Sequence, residues 1–340
     1  MNTIDVIRDL ETMRKSIQFK RILSVICMFG MFFVGMIING SGNLSFAMVS
    51  PMLFLVAFAG GGILAYMANK ELKQFKHLYK QNFVVGVLNE MFGHVVYNPE
   101  YGFSEMEVGQ FGITQLGNRY SSEDYIEGEC EGVRFRQSDV TIKRVVRSGK
   151  STHTYVHFNG RMFEFECPMS NNTSTLVFSK NYQYPGHGIG MRYEKIELEN
   201  AAFNKQFKVK SIDSIDAFYI LTPQMMECVQ NIQRKGGTVG LHFVKDKLYL
   251  GINAGGQGAF DANMNRPLVY VDEVEKIKRD AAVIFDIIRT LKLDENAKED
   301  RIAKGMVHGS AVDDIAAKAA MNAMFGQAPA ESKFGFSLKK

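Results

Sequence analysis

The segment DYIEGECEGVRFRQSDVTIKRVVRSGKSTHTYVHFNGRMFEFEC, residues Asp124–Cys167, carries the strongest strand pattern in the chain. Polar and apolar side chains alternate along most of it, which is typical of strands with one face on a core. Asn159-Gly160 lies between two such runs and predicts a tight hairpin turn. With a further run at Thr175–Lys180, the pattern predicts an antiparallel meander of about five strands.

Helical patterns lie on both sides of these strands. Glu71–Phe92 has apolar side chains at helical spacing, and its lysines are assigned to the opposite, solvated face. Thr222 and Pro223 have the chemistry of an N-cap and a first helical residue, so we expect a helix to begin there. Because the strands are clustered first and the helices follow, the sequence predicts an α+β domain rather than a parallel α/β fold.

Two further segments complete this pattern. Lys245-Asp246 separates two strand-like runs and predicts a second hairpin. A long amphipathic helix is expected to begin near Asp272 and to end near Leu293.

The 48 residues from Ile22 to Asn69 contain no Asp, Glu, Lys, Arg or His. A helix of about 20 residues crosses a bilayer, so this run predicts a transmembrane hairpin with spans at 22–38 and 46–67. Cations flank both ends of the run and are absent from its loop. The positive-inside bias then predicts an inner (cytoplasmic) membrane location with both termini cytoplasmic and the lipid bilayer as a partner.

Small residues recur every four positions in the second predicted span, at Ala57, Gly61 and Ala65. Such spacing lets two helix backbones approach closely. We expect these residues to pack against the first span, and a homo-oligomer contact is the alternative. Neither span contains an ionisable residue, which argues against a charged ion pathway through the protein.

The chain divides into five predicted segments: a basic amphipathic cytoplasmic segment at 1–21, the transmembrane hairpin at 22–69, a juxtamembrane helix at 70–93, a cytoplasmic α+β domain at 94–294, and an Ala/Gly/Lys-rich, partly disordered tail at 295–340.

Composition and motifs exclude several function classes. The 340 residues include 40 Lys+Arg and 36 Asp+Glu, a net charge of +4 that argues against a nucleic-acid partner. Gly149-Lys150-Ser151 imitates the end of a phosphate-binding loop, but Arg144 stands where that motif needs glycine. The four cysteines lack C-x-x-C spacing and are expected to be free thiols. No catalytic, cofactor-binding or metal-ligating residue is predicted.

Several segments together resemble a known family. They are SSEDYIEGECEGVRFRQSD (Ser121–Asp139), FNGRMFEFE (Phe158–Glu166), ENAAFNKQFKVKSIDSIDAFYILTPQMMECVQNI (Glu199–Ile232) and LHFVKDKLYLGI (Leu241–Ile252). Their order resembles a family of bacterial membrane proteins with a cytoplasmic domain of unknown function, often encoded near LemA-like proteins. The resemblance implies a bacterial source and two amino-terminal transmembrane helices, and it carries over no catalytic residue.

From these observations we predict that the protein is a membrane-anchored interaction or scaffold module that binds a protein partner at the cytoplasmic face. The alternative is a membrane-tethered enzyme with an unrecognised active site, and a third class is an oligomeric channel or transporter subunit. Convergent polar groups in a deep pocket would favour the enzyme. A broad exposed apolar patch would favour the interaction module.

Overall fold

The computed structural model of this chain describes residues 3–30, 44–184, 193–255 and 260–303; among them, the side chains of residues 3, 44–54, 167–173, 236 and 291–303 are not described. Residues 31–38 of the first predicted span, most of the predicted loop between the two spans and most of the predicted tail lie outside the described residues.

The helices in chain order are α1 (Thr3–Val25), α2 (Leu44–Leu78), α3 (Val85–Phe92), α4 (Glu105–Phe111), α5 (Ala201–Gln206), α6 (Ser214–Ile220), α7 (Pro223–Gly236) and α8 (Tyr270–Ala303). Two π-helical turns follow α1 and α2, at Ile26–Gly30 and Tyr79–Val84. The strands are β1 (Val95–Asn98), β2 (Arg119–Cys130), β3 (Val133–Ser148), β4 (Ser151–Ser179), β5 (Glu194–Ile196), β6 (Phe207–Ser211) and β7 (Thr238–Asn253).

These strands form one antiparallel sheet in the order β1-β2-β3-β4-β6-β5, and β7 pairs with β4. Strands β1 to β4 follow one another as an antiparallel meander, but the five predicted strands form only β2, β3 and β4, and β1 was not predicted. Strand β4 is central, because its residues 160–165 lie between β3 and β7 and its residues 175–178 lie between β7 and β6. An antiparallel sheet with helices is an α+β architecture.

Both predicted hairpins proved to be wrong, because long, irregular strands replace them. Gly160 lies inside β4, opposite Val140 of β3 and Asn253 of β7. Lys245, in the second predicted turn, lies inside β7 and has a φ of 54°. In β4 the register with β3 shifts just before Asn159-Gly160, between the partners of Ile142 and Lys143, and in β7 an irregularity lies at Lys245. Such irregularities interrupt the alternation of side chains.

Two apolar cores lie on opposite faces of the sheet. The larger contains β-strand side chains such as Phe163 and Phe165, together with residues of α1, α2, α3, α7 and α8. The smaller gathers Phe111 of α4 with Phe158 and Phe178 of β4. A sheet covered on both faces explains why the run Gln137–Val140 of β3 is buried throughout rather than at alternate residues.

The transmembrane prediction requires correction. Among the residues that the structure describes, none of the helices combines the length and the apolarity of a membrane crossing. Charged segments adjoin both predicted spans: α1 is charged up to Arg21, and α2 continues beyond Asn69 through Lys70 and Glu71 to Leu78. The hairpin with spans at 22–38 and 46–67, and the inner-membrane location with two cytoplasmic termini, are therefore wrong.

Candidate functional site

A trough of about 400 Å³ crosses one face of the sheet. Its lining comes from strands β1 to β4 and from His94, which precedes β1. The residues that line it are His94, Val95, Val96, Glu127, Gly128, Glu129, Arg134, Phe135, Arg136, Glu164 and Glu166.

Strand register arranges the charges of the trough in two rows. Glu127 of β2 lies opposite Arg136 of β3, which in turn lies opposite Glu164 of β4. One step along, Glu129 lies opposite Arg134. Because side chains of alternate residues share a face, both rows stand on the same side of the sheet.

Both arginines form their ion pairs with carboxylates outside β2. The guanidinium of Arg134 donates to Glu166 at 2.9 Å. Arg136 donates to Glu107 of α4 at 3.0 Å and to Glu164. Burial opposes the positive charge, but the hydrogen bond and charge of Glu164 raise the pKa of Arg136 above its usual range.

The carboxylates on β2 are left with a surplus of negative charge. Glu127 accepts a hydrogen bond from the Tyr125 hydroxyl at 2.8 Å. Within the described part of the chain, neither Glu127 nor Glu129 has a cationic partner. The trough therefore carries its unbalanced negative charge on the β2 side.

A second polar site is buried on the other face of the sheet. The Lys80 ammonium donates to one carboxylate oxygen of Asp124 at 2.6 Å, and the Tyr97 hydroxyl donates to the other at 2.5 Å. Asp124 is 0% exposed and Lys80 is 5% exposed. Burial alone would lower the pKa of Lys80, but the neighbouring Asp124 raises it above its usual range, so the amine remains charged.

Two irregularities of the backbone create this pair. Asp124 has a φ of 57° and sits at a bulge where the register of β2 with β3 shifts, between Glu123 and Ile126. Lys80 lies in the π-helical turn Tyr79–Val84, in which the consecutive residues Tyr79 and Lys80 are both buried. Positive φ at a non-glycine residue and π-helical turns both concentrate at functional sites.

Other charged groups surround the pair. Lys80 also lies 3.2 Å from an oxygen of Asp261 and 3.8 Å from Glu123. One residue earlier, the Tyr79 hydroxyl donates to Glu273 of α8 at 2.5 Å. The π-helical turn is thus joined by polar contacts to β2, α8 and the segment before α8.

The neighbouring Gln137 of β3 is fully buried, and neither atom of its amide has a hydrogen-bond partner within the described residues. Gln137 lies opposite Ile126 of β2, two residues beyond Asp124. An unpaired buried amide costs about 1–3 kcal/mol, so this network carries a stability cost in addition to its buried charges.

The pH dependence of stability should report on Asp124. Burial raises its pKa from 3.8 to about 6, against the opposing effect of Lys80. The folded protein therefore takes up this proton before the unfolded chain does, and the stability that Asp124 contributes should increase as the pH falls from 7 to 4. As the pH falls from 7 to 4, the free energy of unfolding of the wild type, measured in urea, should rise by about 2–3 kcal/mol relative to that of Asp124→Asn. A constant difference between the two proteins would contradict the raised pKa.

A serine–histidine pair lies in the smaller core. The Nδ1 of His242 is 2.7 Å from the Phe111 carbonyl, which can only accept, so Nδ1 carries the proton. Burial lowers the pKa of His242 and keeps the ring neutral. Its Nε2 therefore accepts from the Ser174 hydroxyl at 2.7 Å. Both side chains are buried and neither lines the trough, so we interpret the pair as a link between α4 and the sheet.

The residues singled out from the sequence lie elsewhere. The Thr222 hydroxyl accepts from the Met225 amide at 3.1 Å, and Pro223 is the first residue of α7. Ala57, Gly61 and Ala65 lie on α2, and a Cβ added at Gly61 would stand 2.6 Å from Cγ of Met28.

Neither the trough nor the buried pair was predicted from the sequence. Lys80 belongs to the helical pattern whose lysines were assigned to a solvated face. Among the described residues, no group of three or more His, Cys, Asp or Glu side chains is arranged to hold a metal ion. Cys130 and Cys228 are buried free thiols, and Cys27 is a half-buried one.

Comparison with known proteins gives a domain but no activity. No curated protein matches this chain. The chain is also similar to the crystal structure of the mycobacterial trehalose monomycolate transport factor A, TtfA, with 8% sequence identity and a TM-score of 0.30. The match covers 60% of this chain and 97% of that chain. A TM-score this low supports no argument about fold or function. Residues 156–293 match the family described as "Protein of unknown function (DUF3137)". A DUF3137 domain of unknown function is therefore found at residues 156–293, from within β4 to within α8.

Proposed function

We propose that this protein is an interaction module that binds a partner protein through apolar side chains of α1, of the π-helical turn Ile26–Gly30 that follows it, and of α2. The observation that carries the proposal is the exposure of these side chains. Each of these side chains is between 43% and 71% exposed. The set consists of Phe19, Ile22, Val25, Ile26, Phe29, Leu55, Val56, Ile63, Tyr66 and Met67. Exposed apolar groups in such number mark an interaction site.

Their spacing favours a helical partner. Phe19, Ile22 and Ile26 follow one another at intervals of three and four residues, and Phe29 lies further along in the π-helical turn Ile26–Gly30. That alternation places apolar residues along one seam for packing against another helix. Burying one large apolar side chain contributes about 1.5–3 kcal/mol, so several contacts along the seam suffice for a stable complex.

An ion pair and a hydrogen bond fix the helices that present this surface. Lys20 of α1 contacts Glu71 of α2, and Arg14 donates to the Met264 carbonyl at 3.1 Å. The amino-terminal part of α1 thus packs on the α+β domain, while the apolar side chains listed above remain exposed. A partner that binds them would be held next to the domain.

Site-specific photocrosslinking in cells tests the proposal. With benzoylphenylalanine in place of Phe19 or Phe29, we expect both positions to capture the same partner protein. The substitution Ile26→Asp should abolish capture, because it places a charge in the seam. Benzoylphenylalanine in place of Lys73, an exposed polar position of α2, is the matched control and should capture nothing.

Three results would overturn the proposal: a different set of proteins at the two positions, capture that survives Ile26→Asp, or crosslinks to lipid alone. A product of twice the mass of the chain would identify a second copy as the occupant and would exclude a distinct partner protein.

A further inference from the structure

We infer that the trough binds an extended polypeptide segment through a basic side chain placed between Glu127 and Glu129. This surface is separate from the apolar one of α1 and α2, and the inference does not depend on it. It rests on three features of the trough: its unbalanced charge, its shape, and the cations at its centre.

Charge identifies the group that would be recognised. The guanidiniums that lie opposite Glu127 and Glu129 in the strand register are held by Glu164 and Glu166 instead. Two exposed carboxylates on adjacent positions of the same face are left without a cation among the described residues. A lysine or arginine side chain of a ligand would replace the missing partner, and a charge-assisted hydrogen bond is stronger than a neutral one.

Shape indicates a polypeptide. The trough crosses four strands, which at about 4.8 Å between neighbours gives a length near 14 Å. An extended chain rises about 3.3 Å per residue, so four or five residues fill it. At the β1 end, Val96 is 62% exposed and lies opposite Glu127. An apolar residue next to the basic one would therefore have a contact surface of its own.

The centre of the trough disfavours a wholly cationic ligand. Arg134 and Arg136 stand on β3, between the carboxylates of β2 and those of β4. A polyamine that filled the trough would bring its own charges against these two guanidiniums. A peptide avoids this repulsion, because it can carry one basic residue over β2 and neutral residues over β3.

Fluorescence anisotropy with the full chain tests the inference. The probes are labelled pentapeptides of sequence Gly-Val-Xaa-Val-Gly, with Lys, Gln or Glu at the central position. We expect the Lys peptide to bind more tightly than the Gln and Glu peptides. The double substitution Glu127→Gln and Glu129→Gln should weaken that binding about tenfold, in line with the loss of a hydrogen bond to a charged group. Glutamine keeps an acceptor for Tyr125, so the fold should be retained.

The control variant is Glu194→Gln, at an exposed carboxylate of β5 at the other end of the sheet; it should bind the Lys peptide as the wild type does. Equal binding of the three peptides, or an equal loss in both variants, would overturn the inference. So would spermidine, if it displaced the Lys peptide at equal concentration, because a polyamine site would then explain the binding.

Discussion

Replacing Lys80 with methionine should destabilise the protein by about 3–5 kcal/mol, the usual cost of removing one partner of a buried ion pair. Methionine has a similar volume and fills the same space, so the loss would come from charge rather than from packing. Without the ammonium that now contacts Asp124, Asp261 and Glu123, the fully buried Asp124 would either carry an uncompensated charge or have to take up a proton. The free energy of unfolding in urea measures this effect.

The companion variant removes both charges. Lys80→Met combined with Asp124→Leu should recover most of the lost stability, because apolar replacements of a whole buried ion pair are often neutral or stabilising. Lys73→Met, at an exposed position of α2, the helix that precedes the π-helical turn of Lys80, should change stability by less than about 0.5 kcal/mol. A double variant as unstable as Lys80→Met would show that the site needs its polar groups for more than charge balance.

Part of this architecture could be predicted from the sequence. The α+β character followed from the order of strand-like and helix-like periodicities. The alternation of polar and apolar residues predicted strands in the segments that form β3 and the first part of β4. The run Gln137–Val140 departs from this alternation, because it is buried on both faces of the sheet. Local sequence patterns were sufficient to predict these elements because their conformation depends mainly on residues close together in the chain.

The rest depended on contacts between distant residues. Lys80 follows Tyr79 in a helical pattern, and only the π-helical turn and the bulge at Asp124, 44 residues later, bring the two charges together. A single sequence shows no pairing of this kind. The trough could not be predicted either, because the ion-pair partners of Arg134 and Arg136 depend on which strands are neighbours in the sheet. The long apolar run beginning at Ile22 was assigned to a membrane from its length alone.

Gly160 shows most directly how a local signal can predict the wrong structure. Asn159-Gly160 has the sequence of a two-residue hairpin, in which glycine is favoured because φ is positive. In the structure the φ of Gly160 is not among the positive values. Glycine is required instead because a Cβ at this position would stand 2.0 Å from the Ile252 carbonyl oxygen and 3.0 Å from the Ala254 amide nitrogen. A neighbouring backbone approaches too closely for any side chain.

Gly160→Ala should therefore cost about 3 kcal/mol, the upper part of the range for overpacking, because both obstructing atoms belong to the backbone of β7 and its continuation. The same substitution at Gly86 of α3 is the matched control. Nothing lies within 4 Å of a Cβ added there, so alanine should stabilise the helix by about 0.5–1 kcal/mol. Urea unfolding of the two variants would thus give effects of opposite sign. If Gly160→Ala were as stable as the wild type, the close approach of β7 to β4 at this point would be refuted, and a turn at Asn159-Gly160 would again be the better account of this segment.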